Sequence, residues 1–356
     1  MVLSPPDRKS PSLLKKDLQT LLADLPNNHH SKWLKKAFKI LIRLAHEELD
    51  CLEWKIVSAT LKDLEKGFKT FTPYYHIRKI TIFGSARMTP ETNEYRLAVN
   101  FAKQVTDLGF MVLTGAGGGI MQAGNEGAGR ENSFGLNVKL PFEQHPNRFI
   151  ADDSKLINFK YFFTRKLFFL KESDAIALFP GGFGTQDEAF ETLTLCQTGK
   201  KSPIPLVLID EPGGTYWDNW HEYICNNLVA KGFISSDDIH IYTITDNLEV
   251  ACNTIREFYR VYHSSRYVEE LFVMRLNYDL SEAQVGQLNQ DFGDILLRGR
   301  IEKTKALVKE LGDETENLPR LAFYFNPKKL GRLYQMIKAI NKFTTLTPAQ
   351  HHPEEK

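Results

Sequence analysis

The sequence predicts an α/β fold built on a doubly wound parallel sheet, and three observations carry that prediction. Six short apolar runs between residues 79 and 245 show little polar alternation, the mark of strands covered on both faces. Helix-like segments separate them, as crossovers between parallel strands require. Three of the runs end in glycine-bearing turns, where a strand can bend sharply into a helix.

In chain order, residues 1–75 read as a helical N-terminal extension. The stretch SLLKKDLQTLLADLP sets Leu13, Leu14, Leu18, Leu21 and Leu22 at helical spacing, with Pro26 after its end. In SKWLKKAFKILIRLAHEELDCLEW, Trp33, Leu34, Ala37, Phe38, Leu41, Leu44 and Ala45 form one stripe, with Lys32, Lys35, Lys36, Lys39 and Arg43 largely off it. A basic amphipathic helix could touch a membrane or an acidic partner. The plainer reading, preferred here, is a helix packed on the core or on another subunit with a solvated basic face.

Residues 76–262 hold the α/β domain. Its strands are KITIFG, FMVLTG, FGLNVKL, DAIALFP, IPLVLID and IHIYTIT, and segments such as NEYRLAVNFAKQVTDLG and YWDNWHEYICNNLVAKG supply the helices. Residues 263–345 read as a small α+β module. It opens with the strand candidate YVEELFVMRLNYDL, and the helix SEAQVGQLNQDFGDILL follows behind a Ser-x-x-Gln capping signal. RIEKTKALV and RLAFYFN are two further strands, LGRLYQMIKAI a last helix, and 346–356 a disordered tail.

Composition narrows the function classes. Hydrophobic residues at 42% and charged residues at 25% of the 356 suit a soluble globular protein. Lys+Arg of 45 against Asp+Glu of 44 implies no bulk attraction to nucleic acid, so any anion site is local. Cys51, Cys196, Cys225 and Cys252 form no C-x-x-C pair, which argues against a disulfide framework and a cysteine zinc site. No secretory h-region and no apolar run near the roughly 18 residues that span a bilayer is present, so the expectation is a cytoplasmic protein without a membrane partner.

Ligands of doubly wound sheets bind beyond the carboxyl ends of the strands. Three turns belong to that edge here: FGSARM, TGAGGGIMQAGNEGAG and PGGFGTQDE. Glycine turns followed by helix N-termini offer N–H groups and favourable partial charge to an oxyanion, so a nucleotide or phosphorylated ligand is expected. A dinucleotide cofactor is not, because Ile120 stands where G-x-G-x-x-G needs its last glycine, and the next strand ends in NVKL without a ribose-binding carboxylate. A P-loop is absent, as are H-x-x-x-H and H-E-x-x-H metal motifs and a G-x-S-x-G nucleophile elbow. What remains is an Arg/carboxylate pairing. FKYFFTRKLFFLKES carries adjacent Arg165 and Lys166 just before the strand that feeds the Pro-Gly-Gly turn, and Asp187, Glu188 and Glu191 follow that turn. Helical periodicity puts Asp187 and Glu191 on one face and does not choose among the three acids.

These motifs resemble a known family. FFTRKLFF followed after a strand by PGGFGTQDE is similar to the R-K and P-G-G-x-G-T-x-x-E signatures of the LOG (Lonely Guy) family, whose members are often mislabelled lysine decarboxylases, and TGAGGGIMQAGNEGA resembles the matching stretch of its longer bacterial members. The likeness covers about residues 78–260. It implies a Rossmann-like fold and a cofactor-free, metal-independent phosphoribohydrolase that cleaves the N-glycosidic bond of nucleoside 5′-monophosphates, AMP-like purine nucleotides or cytokinin ribotides among them, to free base and ribose 5-phosphate. It places the catalytic Arg on Arg165 and the catalytic Glu on Glu188, and matches Lys166, Gly181, Gly182, Gly184, Thr185 and Thr194 to substrate contacts. Ser85, Gly117 and Gly118, in the other two turns, complete the expected binding set. The resemblance also implies a homodimer or larger homo-oligomer. The chain departs from plant-type members at Phe163 and Phe169, where His and Met are usual. A pyridoxal-phosphate decarboxylase finds no support, since no His-Lys dipeptide occurs. The rival from another class is a non-catalytic carrier of a phosphorylated ligand, as molybdenum-cofactor carriers are similar in fold; retention of both Arg165 and Glu188 favours the enzyme.

Overall fold

The computed structural model describes residue 20, residues 31–140 and 145–343, and the backbone of 347–348. The leucine-rich helix expected before Pro26 lies, Thr20 apart, outside the described residues, as does all of the expected tail but two residues. The chain divides into two units, residues 1–62 and 63–356.

The first unit contains helix α1 (Ser31–His46) and the opening of α2 (Cys51–Phe71). Asp50 starts α2: its carboxylate accepts the Leu52 and Glu53 N–H groups at 2.8 and 3.0 Å, while Glu53 accepts the Asp50 N–H at 2.7 Å, a reciprocal cap. α1 buries none of its residues.

The second unit is organised by a seven-stranded parallel sheet. Its strands are β1 (Lys79–Phe83), β2 (Met111–Thr114), β3 (Ser133–Val138), β4 (Leu156–Phe159), β5 (Ala175–Leu178), β6 (Leu206–Ile209) and β7 (Tyr242–Thr245), in the order β4-β3-β2-β1-β5-β6-β7. Every residue of β1, β2, β3, β5 and β6 is buried, as near-continuous apolar runs require, whereas the edge strands β4 and β7 are partly open. Successive strand residues feed opposite faces. Ile80, Ile82, Val112, Ala177 and Val207 pack under α3 (Asn93–Asp107), α4 (Ile120–Ala128) and, further along the chain, the helix Leu248–Phe258. Leu113, Phe134, Leu136, Leu178 and Leu208 pack under α5 (Phe162–Glu172) and α6 (Phe183–Gln197). The fold is therefore Rossmann-like and doubly wound.

A second, antiparallel sheet is formed by β8 (Tyr262–Val268), β9 (Leu271–Leu276), Arg320–Phe325 and Leu296–Thr304. Its Phe272, Met274, Leu321 and Phe323 belong to the same apolar cluster as the α5 and α6 face of the large sheet. The capping signal at Ser281 is realised: the Ser281 hydroxyl accepts the Gln284 N–H, and the Gln284 side chain accepts the Ser281 N–H.

Three expectations are corrected. The sheet has seven strands rather than six, because LINF is a four-residue edge strand whose Asn158 breaks the apolar run that identified the others; Asn158 instead accepts from the Asn137 side chain at 3.0 Å. YVEELFVMRLNYDL is not one strand: Tyr267 and Val268 end the first arm of a hairpin, the chain turns at Glu269 with φ 58°, and Leu271–Leu276 form the second arm. No Gly, Asn or Pro signals that turn. The backbone of Thr347–Pro348, read as disordered tail, pairs antiparallel with Tyr278–Asp279.

Candidate active site

The chain runs outward from β1 to β4, returns across the sheet and continues from β5 on the other side of β1. The strand order thus reverses between β1 and β5, where open α/β sheets bind their ligands. The turns after these two strands are joined: the Ser85 N–H donates to the Pro180 carbonyl at 3.0 Å, and the Ile120 N–H, from the turn after β2, donates to the Ser85 carbonyl at 2.9 Å. Two glycines are obligatory for this packing. A Cβ on Gly181 would meet Thr185 Oγ1 at 2.2 Å and the Ser85 nitrogen at 2.9 Å; one on Gly119, whose φ is +63°, would meet the Ser85 carbonyl oxygen at 2.2 Å. All three predicted turns therefore share one locus.

A cleft of about 730 Å³ opens above them, within the range of small-molecule sites. Among the described residues, Ser85, Gly181, Gly182, Gly184, Thr185, Arg165 and Glu188 all line it, together with Gln186, Met121, Phe162, Phe169 and Phe183. Lys166 stands just behind this wall. Its ammonium donates to Glu191 at 2.5 Å, lies 2.8 Å from Asp187 and 3.7 Å from Glu188. Gly117, Gly118 and Thr194 do not line the cleft. The Gly117 carbonyl accepts from Asn147, Gly118 faces the Ala86 carbonyl, and the exposed Thr194 donates to the Phe190 carbonyl one turn back; from the second turn the cleft takes Gly115 instead.

The structure separates the three acids that periodicity left equal. Asp187 and Glu191 are held by Lys166, while Glu188 is 4% exposed and its Oε2 has no hydrogen-bond partner among the described residues. Burial raises the Glu188 pKa to about 7 despite the opposing attraction of Lys166 and Arg165, with Glu191 and Asp187 adding to the rise. Arg165 is its counterpart. Its guanidinium lies 4.9 and 5.6 Å from the Phe162 and Phe169 rings, its Nε is buried and unpartnered, and burial lowers its pKa against the pull of Glu188 and Asp187. For Lys166, burial opposes the charge, but the Asp187 and Glu191 hydrogen bonds outweigh it and the pKa is raised.

Supports invisible to local patterns hold these groups. The Asp63 carboxylate, on α2, accepts the Lys160 N–H at 2.9 Å and the Thr164 hydroxyl at 2.7 Å, fixing the turn that leads into the helix that carries Arg165. Gly67 lets Phe168 of that helix approach: a Cβ there would sit 2.1 Å from the ring. On the other wall, the Gln186 Nε2 donates to the Tyr216 hydroxyl at 2.7 Å, which donates to the Gly181 carbonyl at 2.5 Å. Gln186 Oε1 is left buried and unpartnered in the cleft. Gln186 is signalled in the sequence by its place inside the glycine motif; Asp63 and Tyr216 carry no sequence signal. Among the described residues, no cluster of three or more His, Cys, Asp or Glu side chains has metal-holding geometry, and no helix is long and apolar enough to cross a membrane.

Comparison with known proteins fits this arrangement. Residues 118–255 match the family described as "Possible lysine decarboxylase". The chain is 25% identical over 188 residues to the cytokinin riboside 5'-monophosphate phosphoribohydrolase LOG2 of Arabidopsis thaliana, covering 51% of this chain and 84% of that protein. Over this region the chain is similar to the LOG family. The matched region contains α5, the Pro-Gly-Gly turn and Glu188. Among solved structures, it is similar over 51% of its length to a molybdenum cofactor binding protein from Rippkaea orientalis (17% identity, TM-score 0.38, 96% of that chain). Another is DNA processing protein A from Helicobacter pylori (16% identity, TM-score 0.35, 80% of that chain and 51% of this one).

Proposed function

We propose that this LOG-like protein hydrolyses the N-glycosidic bond of nucleoside 5′-monophosphates, AMP-like purine nucleotides foremost, to free base and ribose 5-phosphate. The observation that carries the reading is the pair of unpartnered polar atoms, Glu188 Oε2 and Arg165 Nε, buried in one cleft beside a glycine turn. A buried polar atom without a partner is uncommon and marks a place where a ligand supplies one.

The chemistry follows from the residue types. The 5′-phosphate is received by the turn at Gly181, Gly182 and Gly184 and by Thr185, at the N-terminus of α6, where N–H groups and the helix dipole favour an anion. As the C1′–N bond breaks, its electron pair leaves with the base and positive charge grows on the ribose. The Glu188 carboxylate stabilises that charge and takes a proton from the water whose oxygen bonds to C1′; the departing base takes up one proton from solvent and Glu188 returns its proton to solvent, so that one water is consumed for each base and ribose 5-phosphate formed. A pKa near 7 suits this role, since a group titrating near the working pH combines adequate basicity with an ionised population. Arg165 binds the substrate and offsets charge on its anionic part. Lys166 neutralises Asp187 and Glu191, which would otherwise repel the phosphate. No step requires a metal or an organic cofactor.

The exposed Phe162, Phe163 and Leu167 on α5 and Phe183 and Phe190 on α6 support a homodimer or larger assembly formed through this face, acting in the cytoplasm. The test of the reaction class is release of base from a panel of nucleoside monophosphates. Base and ribose 5-phosphate are expected from AMP or GMP. No release from any of them, with tight binding of a phosphorylated ligand, would replace the enzyme by a carrier.

A further inference from the structure

We infer that the protein binds a second phosphate-type oxyanion, inorganic phosphate or a small phosphomonoester, in a cavity at the opposite edge of the parallel sheet from the cleft. This cavity, about 280 Å³, lies where the chain enters β1, β5 and β6 and meets β8 of the antiparallel sheet. Four cations, Arg78, Lys79, Lys171 and Lys201, line it against two carboxylates, Glu172 and Asp174.

Both carboxylates already have partners. Glu172 accepts from Lys171 at 2.5 Å, and Asp174 accepts the Lys79 backbone N–H at 2.9 Å. The cations are less well served. The Lys79 ammonium, 2% exposed, donates to the Tyr74 and Ile77 carbonyls at 2.7 and 2.8 Å, and its nearest carboxylate is 3.9 Å away. Lys201 donates to the Leu170 and Ser173 carbonyls at 2.6 and 2.7 Å. An ammonium has three donors, so these carbonyl bonds leave one on each unused. The Arg78 guanidinium stacks 3.6 Å from the Tyr259 ring, shares a hydrogen bond with that side chain and lies 3.9 Å from Asp174, beyond hydrogen-bond length, which leaves most of its five donors for an oxyanion. Burial lowers the pKa of Lys79 and of Lys201, and burial with Arg78 and Arg275 lowers that of His263, on the cavity wall, to about 4. An anion among these groups restores what burial removed. The volume admits a phosphate or sugar phosphate and no polyanion.

This inference does not depend on the hydrolase reading, and its test reads the cavity rather than catalysis. Protein labelled with ¹³C at histidine is titrated with inorganic phosphate and, separately, ribose 5-phosphate at constant ionic strength, with the His263 signal assigned by His263→Gln. The signal should move saturably, alike in wild type and in Arg165→Ala, whose cleft is altered. In Arg78→Gln, at a part-exposed position that tolerates the change, binding should weaken about tenfold or more, as loss of a charge-assisted hydrogen bond implies. Lys171→Gln, half-exposed, should weaken it in the same direction. Tighter saturation by ribose 5-phosphate than by phosphate would identify a phosphomonoester as the ligand, and the reverse would identify the free ion. A His263 signal that does not move, that responds equally to chloride, or that titrates unchanged in Arg78→Gln would overturn the site.

Discussion

Replacing Lys166 by Met should move the acid limb of the pH–rate profile upward. Lys166 lies 3.7 Å from Glu188 and is mostly buried, so the attraction between the two charges is at most about 4.5 kcal/mol at an effective dielectric near 20. Solvent at the cleft mouth and the remaining attraction of Arg165 reduce the part that is lost to roughly 1.5–3 kcal/mol. The same substitution releases Asp187 and Glu191 as unneutralised like charges, which adds to the effect. In the proposed reaction Glu188 works as the carboxylate, so activity should be lost as pH falls through its pKa, about 7 in the wild type. In Lys166→Met that limb should lie about one to two pH values higher. The assay is the pH dependence of kcat/KM for base release from AMP, which reports the free enzyme. A limb that stays near pH 7 would refute the assignment of the titration to Glu188.

Three further outcomes follow. Because the folded pKa of Glu188 is raised above its ordinary 4.5, its contribution to stability is full below that value and is lost as pH rises through about 7; Glu188→Gln should therefore be more stable than wild type at pH 8 by roughly 2–3 kcal/mol, the gap closing towards pH 4.5 in denaturant titrations. Asp63→Ala leaves the Lys160 N–H and the Thr164 hydroxyl without their carboxylate and should lower stability by about 1–3 kcal/mol, and Gly67→Ala, which drives a methyl into Phe168, by about 1–3 kcal/mol, both measured by urea unfolding. Tyr216→Phe frees the Gly181 carbonyl and should raise KM for the nucleotide about fivefold, the equivalent of about 1 kcal/mol, while an unchanged KM would show that the turn holds itself.

The sheet was legible because most of its strands are buried on both faces and so are written as unbroken apolar runs; LINF escaped because an edge strand needs no such run. The glycine turns were legible for a related reason: close backbone approach at Gly119 and Gly181 excludes any side chain, and that exclusion is visible in one dimension. The choice of Glu188 over Asp187 and Glu191 was not open to periodicity, because what separates them is where Lys166 reaches from another helix. Asp63 acts across 97 residues and Tyr216 across 35, and a carboxylate or a phenol in a helix is written the same way whether it holds a distant backbone or faces water. Gly117, Gly118 and Thr194 show the converse, since a motif position can be occupied by the expected residue without reaching the cleft wall.

The central claim is that Arg165 and Glu188 cleave the bond between base and ribose. The most direct measurement is quantification of adenine and ribose 5-phosphate from AMP by wild type, Glu188→Gln and Arg165→Ala, with folding checked by circular dichroism. Equal amounts of both products from wild type, falling by a hundredfold or so or more in each variant, is the predicted result. Undiminished release in folded Glu188→Gln, or adenosine and phosphate in place of base and sugar phosphate, would contradict it.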